Sequence, residues 1–257
     1  KALIFLARIS FNENNYEKSN IYYAKLMNIA SSNSLKRECL VRLMIASEYI
    51  DKVLALTYAK RVIELEKIDD WLLSKAYIII ARDEFESGNY AKSKLTFSKV
   101  TDLSDYDEGA EAEYFLAYLT YLDDDLELAE QLIFKLSDNY SSDHFIAKAF
   151  ILLADIYVAN DNLFQAKATL ESIIENHDDE DLINVARRKW ESIIEVEKAI
   201  IIDTIQEYTF IEIFEENIEY EVEEIDDNYI VPIFDTLNID LDSVERINKN
   251  ILDDEFK

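Results

Sequence analysis

Glycine and proline are almost missing from this 257-residue chain: Gly88, Gly109 and Pro232 are all it has. Both residues normally punctuate the turns of β proteins, and glycine lines phosphate-binding loops. Their scarcity points to helices joined by short polar turns and removes most nucleotide-binding architectures. Cysteine is limited to Cys39, so neither an internal disulfide nor a Cys-x-x-Cys metal or redox site can form. In an apolar helical setting this thiol reads as a small core residue. Histidine is limited to His144 and His177, each at a turn and neither beside a nucleophile. No apolar run approaches the ~20 residues needed to span a bilayer.

Positive charge is also in short supply. Lys and Arg number 26 against 54 Asp and Glu, for a formal charge of −28. Binding to nucleic acid depends on cations facing phosphates, so nucleic-acid partners are not expected. The same repulsion disfavours anionic membrane surfaces and leaves other proteins as the expected partners. No catalytic residue, metal site or cofactor is expected either. The triplet Asp123–Asp125 lacks the glycine and closing glutamate of a calcium loop. The acidic run after His177 suits a helix N-terminus. No His-Glu-x-x-His, phosphate loop or Gly-x-Ser-x-Gly occurs.

What is abundant is apolar sequence with a repeat. Five apolar segments, at 2–11, 39–50, 75–85, 112–122 and 148–158, are each followed by a polar break and a second helical segment. A small residue near the start of each second segment recurs as Ser19, Ala55, Ser93, Ala129 and Ala166, in steps of 36, 38, 36 and 37. Seven residues on, Leu26, Val62, Val100, Leu136 and Ile173 keep the same steps. A small residue lets two helices cross closely, and the residue two turns later packs on the same face.

These columns resemble the tetratricopeptide repeat. Ala154 and Tyr157 with Ala166 and Leu170 match its pattern; Ala81 with Ser93 and Phe97, and Ala117 with Ala129 and Ile133, match in part. Ala46 and Tyr49 place the second repeat with a turn about three residues short. The Trp near the repeat start and the closing Pro are absent, and the period exceeds the usual one of about 34. The resemblance covers 1–178 and implies a right-handed α-solenoid of about five helix pairs. A capping helix is expected at 179–202, with apolar Leu182, Val185, Trp190, Ile193 and Ile200 and outward Arg187, Arg188 and Lys189.

In this family the first helices line a concave, partner-binding face. The corresponding positions are Arg8, Phe11, Lys75, Ile78, Arg82, Phe85, Tyr114, Tyr118, Tyr121, Lys148, Ile151 and Asp155. Aromatic anchors with charged groups suit a peptide groove, although several of these aromatics fit equally well as inter-repeat core. Ile4 and Arg8 replace the Lys and Asn of the chaperone-binding clamp, which argues against that ligand. Residues 203–257 are acidic and aromatic and are expected to form a partly extended tail. From Ile202 onward 18 acids face Arg246, Lys249 and Lys257, a balance of −15 that leaves −13 for the rest. Phe210, Phe214 and Tyr220 are its expected contacts to the groove.

The ~37-residue period and the closing Tyr140–Ser141–Ser142 also resemble the repeats of bacterial envelope proteins. These include outer-membrane assembly lipoproteins, the Tol-Pal coordinator, and the large Bacteroidota repeat lipoproteins linked to gliding and secretion. That resemblance implies a non-enzymatic scaffold in the periplasm or cell envelope, with the cytoplasm still open. The alternative is a regulatory module whose acidic tail competes with a partner for the groove. Because the apolar run Ala2–Leu6 opens the first unit, further repeats before Lys1 are expected.

Overall fold

The computed structural model of the chain describes the backbone of residues 2–218 and the side chains of residues 2–202. It is all-helical there and forms a helical-repeat solenoid, as the period requires. The five pairs are α1 (Ala2–Asn12) with α2 (Tyr16–Ile29), α3 (Asn33–Glu48) with α4 (Lys52–Val62), and α5 (Asp70–Glu86) with α6 (Tyr90–Thr101). They continue with α7 (Asp107–Leu122) and α8 (Leu126–Asn139), then α9 (Asp143–Ala159) and α10 (Leu163–Asn176). A last helix, α11, runs Glu180–Ile218. Two units divide the chain at Ile200/Ile201. The first holds the five pairs and the start of α11. Of the second, the described part is the helical backbone of α11 to Ile218.

From α1 to α10 each helix packs on its neighbours in sequence, and first helices also meet across repeats, α5 with α7 and α7 with α9. The small-residue column explains this closeness: Ser19, Ala55, Ser93, Ala129 and Ala166 are all buried. They face Ala7, Ala81, Ala117 and Ala154, also buried, and Ser93 Oγ donates to the Ala81 carbonyl at 3.0 Å. Leu26, Val62, Val100 and Leu136 are buried two turns on, and Ile173 is half-buried. Stacked this way, repeats share one apolar interior that no repeat could close alone.

The turn within each pair has the same construction. It ends on an Asn or Asp that precedes the second helix: Asn15, Asp51, Asn89, Asp125 and Asn162. The residue before it adopts a positive φ in four repeats, at Asn14, Gly88, Asp124 and Asp161. Asn, Asp and Gly tolerate that left-handed conformation best. In those four turns the capping amide donates five residues back, as Asn89 N does to the Glu84 carbonyl at 2.8 Å.

The second repeat departs from the expected short turn. Its helices are also separated by three residues, 49–51, but Asp51 N bonds four back, to Ser47 O at 2.8 Å, without a left-handed residue. The residue equivalent to Ala7 and Ala81 is therefore buried Leu43, eight before the cap, and not Ala46. First helices three, four and five also begin about one turn earlier than their apolar runs, on Asp70, Asp107 and Asp143; α3 does so behind Ser32, whose side chain caps Leu35 N at 3.2 Å. Carboxylates in a first turn meet exposed amides and the positive end of the helix dipole, which extends these helices through polar sequence.

α11 continues the first-helix register. Ala76, Ala112, Ala149 and Ala186 fall 36, 37 and 37 residues apart and are all fully buried, and Ile156 and Ile193 repeat the step. Leu182, Ala186 and Ile193 share a core with Ala147, Ile151, Ala154, Ala166 and Leu170. At the place of Ala154, where a first helix receives its own second helix, α11 carries exposed Glu191. Ile200 and Arg187 and Arg188 are exposed; Lys189, expected outward, is instead buried against Asp155. The helix also runs past the expected boundary at 202, so the backbone of 203–218 is helical; the rest of the tail expected to be partly extended lies outside the described residues.

Candidate functional site

The first-helix positions singled out in sequence do come together, but with internal partners that change their chemistry. Arg8 on α1 forms a forked pair with Glu38 on α3, at 2.7 and 2.6 Å. Lys75 on α5 pairs with Glu108 on α7. Arg82 on α5 is held twice: Glu111 on α7 takes Nε and one terminal nitrogen, each at 2.5 Å, and Glu48 on α3 takes the other at 2.8 Å. Lys189 on α11 reaches both oxygens of Asp155 on α9 at 3.2 Å. Each pair ties one first helix to the next.

The electrostatic consequences follow. Burial works to lower the Arg82 guanidinium, but Glu111 and Glu48 outweigh it and hold it above its ordinary value. Lys75 shows the same balance through Glu108. The hydrogen bond from Arg8 leads in holding the Glu38 carboxyl below its usual range. These cations therefore stay charged while much of their field is spent inside the array.

Between them lies a run of aromatic rings. Phe85 on α5 meets Phe115 at 4.9 Å and Tyr118 at 5.9 Å, both on α7, and Tyr90 on α6 at 5.5 Å. Phe115 stacks on Phe97 at 4.8 Å, Tyr114 reaches Phe145 on α9 at 6.3 Å, and Tyr118 meets Tyr121 at 6.5 Å. Lys148 lies over the Tyr114 ring at 4.9 Å, and Arg42 over Phe11 at 4.3 Å. Phe85, Tyr114 and Tyr118 are buried, as are Ile78 and Ile151, whereas Phe11 and Tyr121 are half-buried. Burial, followed by the charges of Asp155 and Asp124, pushes the Tyr121 hydroxyl up to about 12.

The carboxylate partners are what sequence reasoning missed. A signal existed: the partners lie 30, 33 and 29 residues beyond Arg8, Lys75 and Arg82, one repeat less one or two helical turns. Of the expected tail contacts, Phe210 and Phe214 fall on the helical backbone of α11 with their side chains outside the described residues, and Tyr220 lies wholly outside them. His144 meets Asp179 at 3.2 Å and His177 accepts from Asp179 N at 3.0 Å, so both fasten the start of α11. Among the described residues no cluster of His, Cys, Asp or Glu is placed to hold a metal, and no helix is long and apolar enough to cross a membrane.

No family model matches the chain, and no curated protein does. Among solved structures, a thermophilic TPR protein of Thermus thermophilus aligns at 16% identity and TM-score 0.43, covering 75% of this chain and 97% of its own. The P58(IPK) TPR domain aligns at 12% identity and TM-score 0.38, over 74% of this chain and 55% of its own. BtubC (BKLC) from P. vanneervenii aligns at 13% identity and TM-score 0.53, over 92% of this chain and 99% of its own, and so shares its fold.

Proposed function

We propose that the chain is a non-catalytic protein-interaction scaffold of the tetratricopeptide type, binding protein partners along the face made by its first helices. The observation that carries this reading is Tyr121, half-buried and packed against the buried rings of Tyr118 and Phe85, with ion pairs that lock neighbouring first helices. Rigid aromatic anchors on a pre-organised surface bind at low entropic cost. Half-buried Phe11 and Tyr121, and the cations Arg8, Lys75, Arg82 and Lys148 on the first helices, are the positions a partner would touch. Affinity purification from the native organism with the full-length protein as bait tests this. Phe11→Ala and Tyr121→Ala should each lose partners that exposed Leu95→Ala on α6 keeps. An unchanged set of partners from all three, with helicity intact, sinks the proposal.

The ~37-residue period and the Tyr140–Ser141–Ser142 closing support a place within a bacterial envelope assembly, checked by osmotic-shock fractionation of the full-length protein. A regulatory reading rests on the −15 balance from Ile202 onward: residues 203–257 would compete with a partner for the same face. Deleting residues 203–257 should raise partner affinity if competition occurs.

A further inference from the structure

The junction of the third and fourth repeats is filled by rings around Phe85: Tyr90, Phe115 and Tyr118. One repeat earlier, the places of Phe85, Tyr90, Phe115 and Tyr118 are held by Ser47, Lys52, Ile79 and Arg82. Asp83 and Glu86 likewise stand where the next repeat has Leu119 and Leu122. At the place of Asp83 every other first helix, and α11, is apolar: Ile9, Ile45, Leu119, Ile156 and Ile193. With its rings gone, the junction of the second and third repeats contains a cleft of about 480 Å³ between α3, α4 and α5.

The lining is part apolar, from buried Ala55 and Ile79, and part charged, from Glu48, Lys52, Arg82, Asp83 and Glu86. Both cations are already engaged. Glu86 holds Lys52 at 2.7 Å, and Glu48 and Glu111 hold Arg82 at 2.8 and 2.5 Å. Half-buried Asp83 is left over: its carboxylate takes no hydrogen bond among the described residues, and Lys92, whose charge reaches it, is bonded to Glu84 at 2.8 Å. With Glu111 counted, the cleft sets Glu48, Asp83, Glu86 and Glu111 against Lys52 and Arg82, a balance of −2. We infer that this cleft receives a lysine or arginine side chain projecting from a partner protein, its alkyl stem against Ile79 and Ala55 and its cation at Asp83. Such side chains lay an apolar stem on apolar surface while their charged heads seek carboxylates, which is the mixture this lining offers. The inference rests on the chain being a protein-binding scaffold and names the chemistry of one contact.

The test uses the full chain labelled at its isoleucine methyl groups and followed by NMR. It is titrated with short capped glycine-serine peptides carrying one central lysine, arginine or norleucine, in about 150 mM salt to screen the general field of an acidic chain. The Ile79 methyl signal, assigned from Ile79→Val, should shift saturably with the lysine or the arginine peptide, while that of buried Ile156 on α9 stays still. Norleucine has the stem without the charge and should bind at least about fivefold more weakly. The cationic peptides should lose about the same factor on Asp83→Asn and nothing on Glu175→Gln, at an exposed site on α10. Asp83→Leu with Glu86→Leu restores the side chains of the next junction; it should abolish the response while raising the melting temperature, so that lost binding is not lost folding. The inference is overturned if neither cationic peptide moves Ile79, if norleucine binds as tightly, or if Asp83→Asn binds as wild type does. It is also overturned if isoleucines throughout the chain shift together, the mark of general attraction. None of these outcomes touches the partner losses expected of Phe11→Ala and Tyr121→Ala, so the cleft and the wider face can fail separately.

Discussion

Replacing Gly109 by alanine would put a methyl group where the fold has no room. A Cβ built there falls 1.9 Å from the Ser104 carbonyl oxygen and 2.7 and 2.9 Å from Tyr140 Cε1 and Oη. Gly109 has an ordinary helical φ, so backbone strain plays no part, and helix propensity alone would favour alanine by ~1 kcal/mol. Against that stands overpacking, which costs about 1–3 kcal/mol in a tight interior. The worst contact is with backbone, so the Ser104 carbonyl must move by more than an ångström. That disturbs the Ser104 N bond to Val100 O (3.1 Å) and the Tyr140 hydroxyl's bond to Ser104 O (3.5 Å), a further ~1 kcal/mol. The net is a destabilisation of roughly 2 kcal/mol, which lowers the melting temperature by about 4–8 °C for a domain of this size. Gly88→Ala is the companion: φ is +74° with open space around it, so it costs roughly 1 kcal/mol of left-handed strain. Thermal melts followed by circular dichroism should rank wild type above Gly88→Ala and that above Gly109→Ala. Gly109→Ala melting at or above wild type would refute the steric reasoning.

Arg82→Met should destabilise by roughly 2 kcal/mol by leaving buried Glu111 unpaired, discounted because the Arg82 side chain is 37% exposed. Adding Glu111→Gln should recover part of that loss in urea melts, and strict additivity would refute the coupling. At high pH, burial first and then Glu38 push the Tyr23 hydroxyl up to about 12, and Tyr140 is likewise about 12. The unfolded chain then releases these protons first, near pH 10, so stability should fall between pH 10 and 12, less steeply in Tyr23→Phe. At low pH the depressed Glu38 carboxyl contributes stability above its ordinary range and loses it as pH falls through its folded value; Glu38→Gln should flatten that limb of a pH melt. Ala186→Asp, at a fully buried site on the inner face of α11, should melt the fifth repeat before the others, read by hydrogen exchange.

The repeat was legible because two columns of side chains obey one spacing, and close helix crossings leave that mark whatever the partner is. The second repeat misled because Ala46 and Tyr49 mimic the family pair, while the structure places Leu43 there and keeps the turn at three residues. First-helix starts were placed late because their opening turns are polar, stabilised by capping and dipole effects that apolar periodicity does not register. The first-helix positions named from sequence fall on neighbouring helices, but the charge balance around them was not legible in sequence. Arg8, Lys75 and Arg82 stand out as cations in an acidic chain, whereas the glutamates that engage them lie about 30 residues away among many other acids.

The carboxylate at position 191 sets α11 apart from the first helices before it. Every earlier first helix offers Ala or Leu at that place, Ala7, Leu43, Ala81, Ala117 and Ala154, and each recruits the helix that follows it. Glu191 instead holds a solvated carboxylate there, and covering it would strip water from a charge. One side chain thus separates two properties that coincide in the earlier repeats: standing in the first-helix register, and offering a small or apolar seat to the helix that follows.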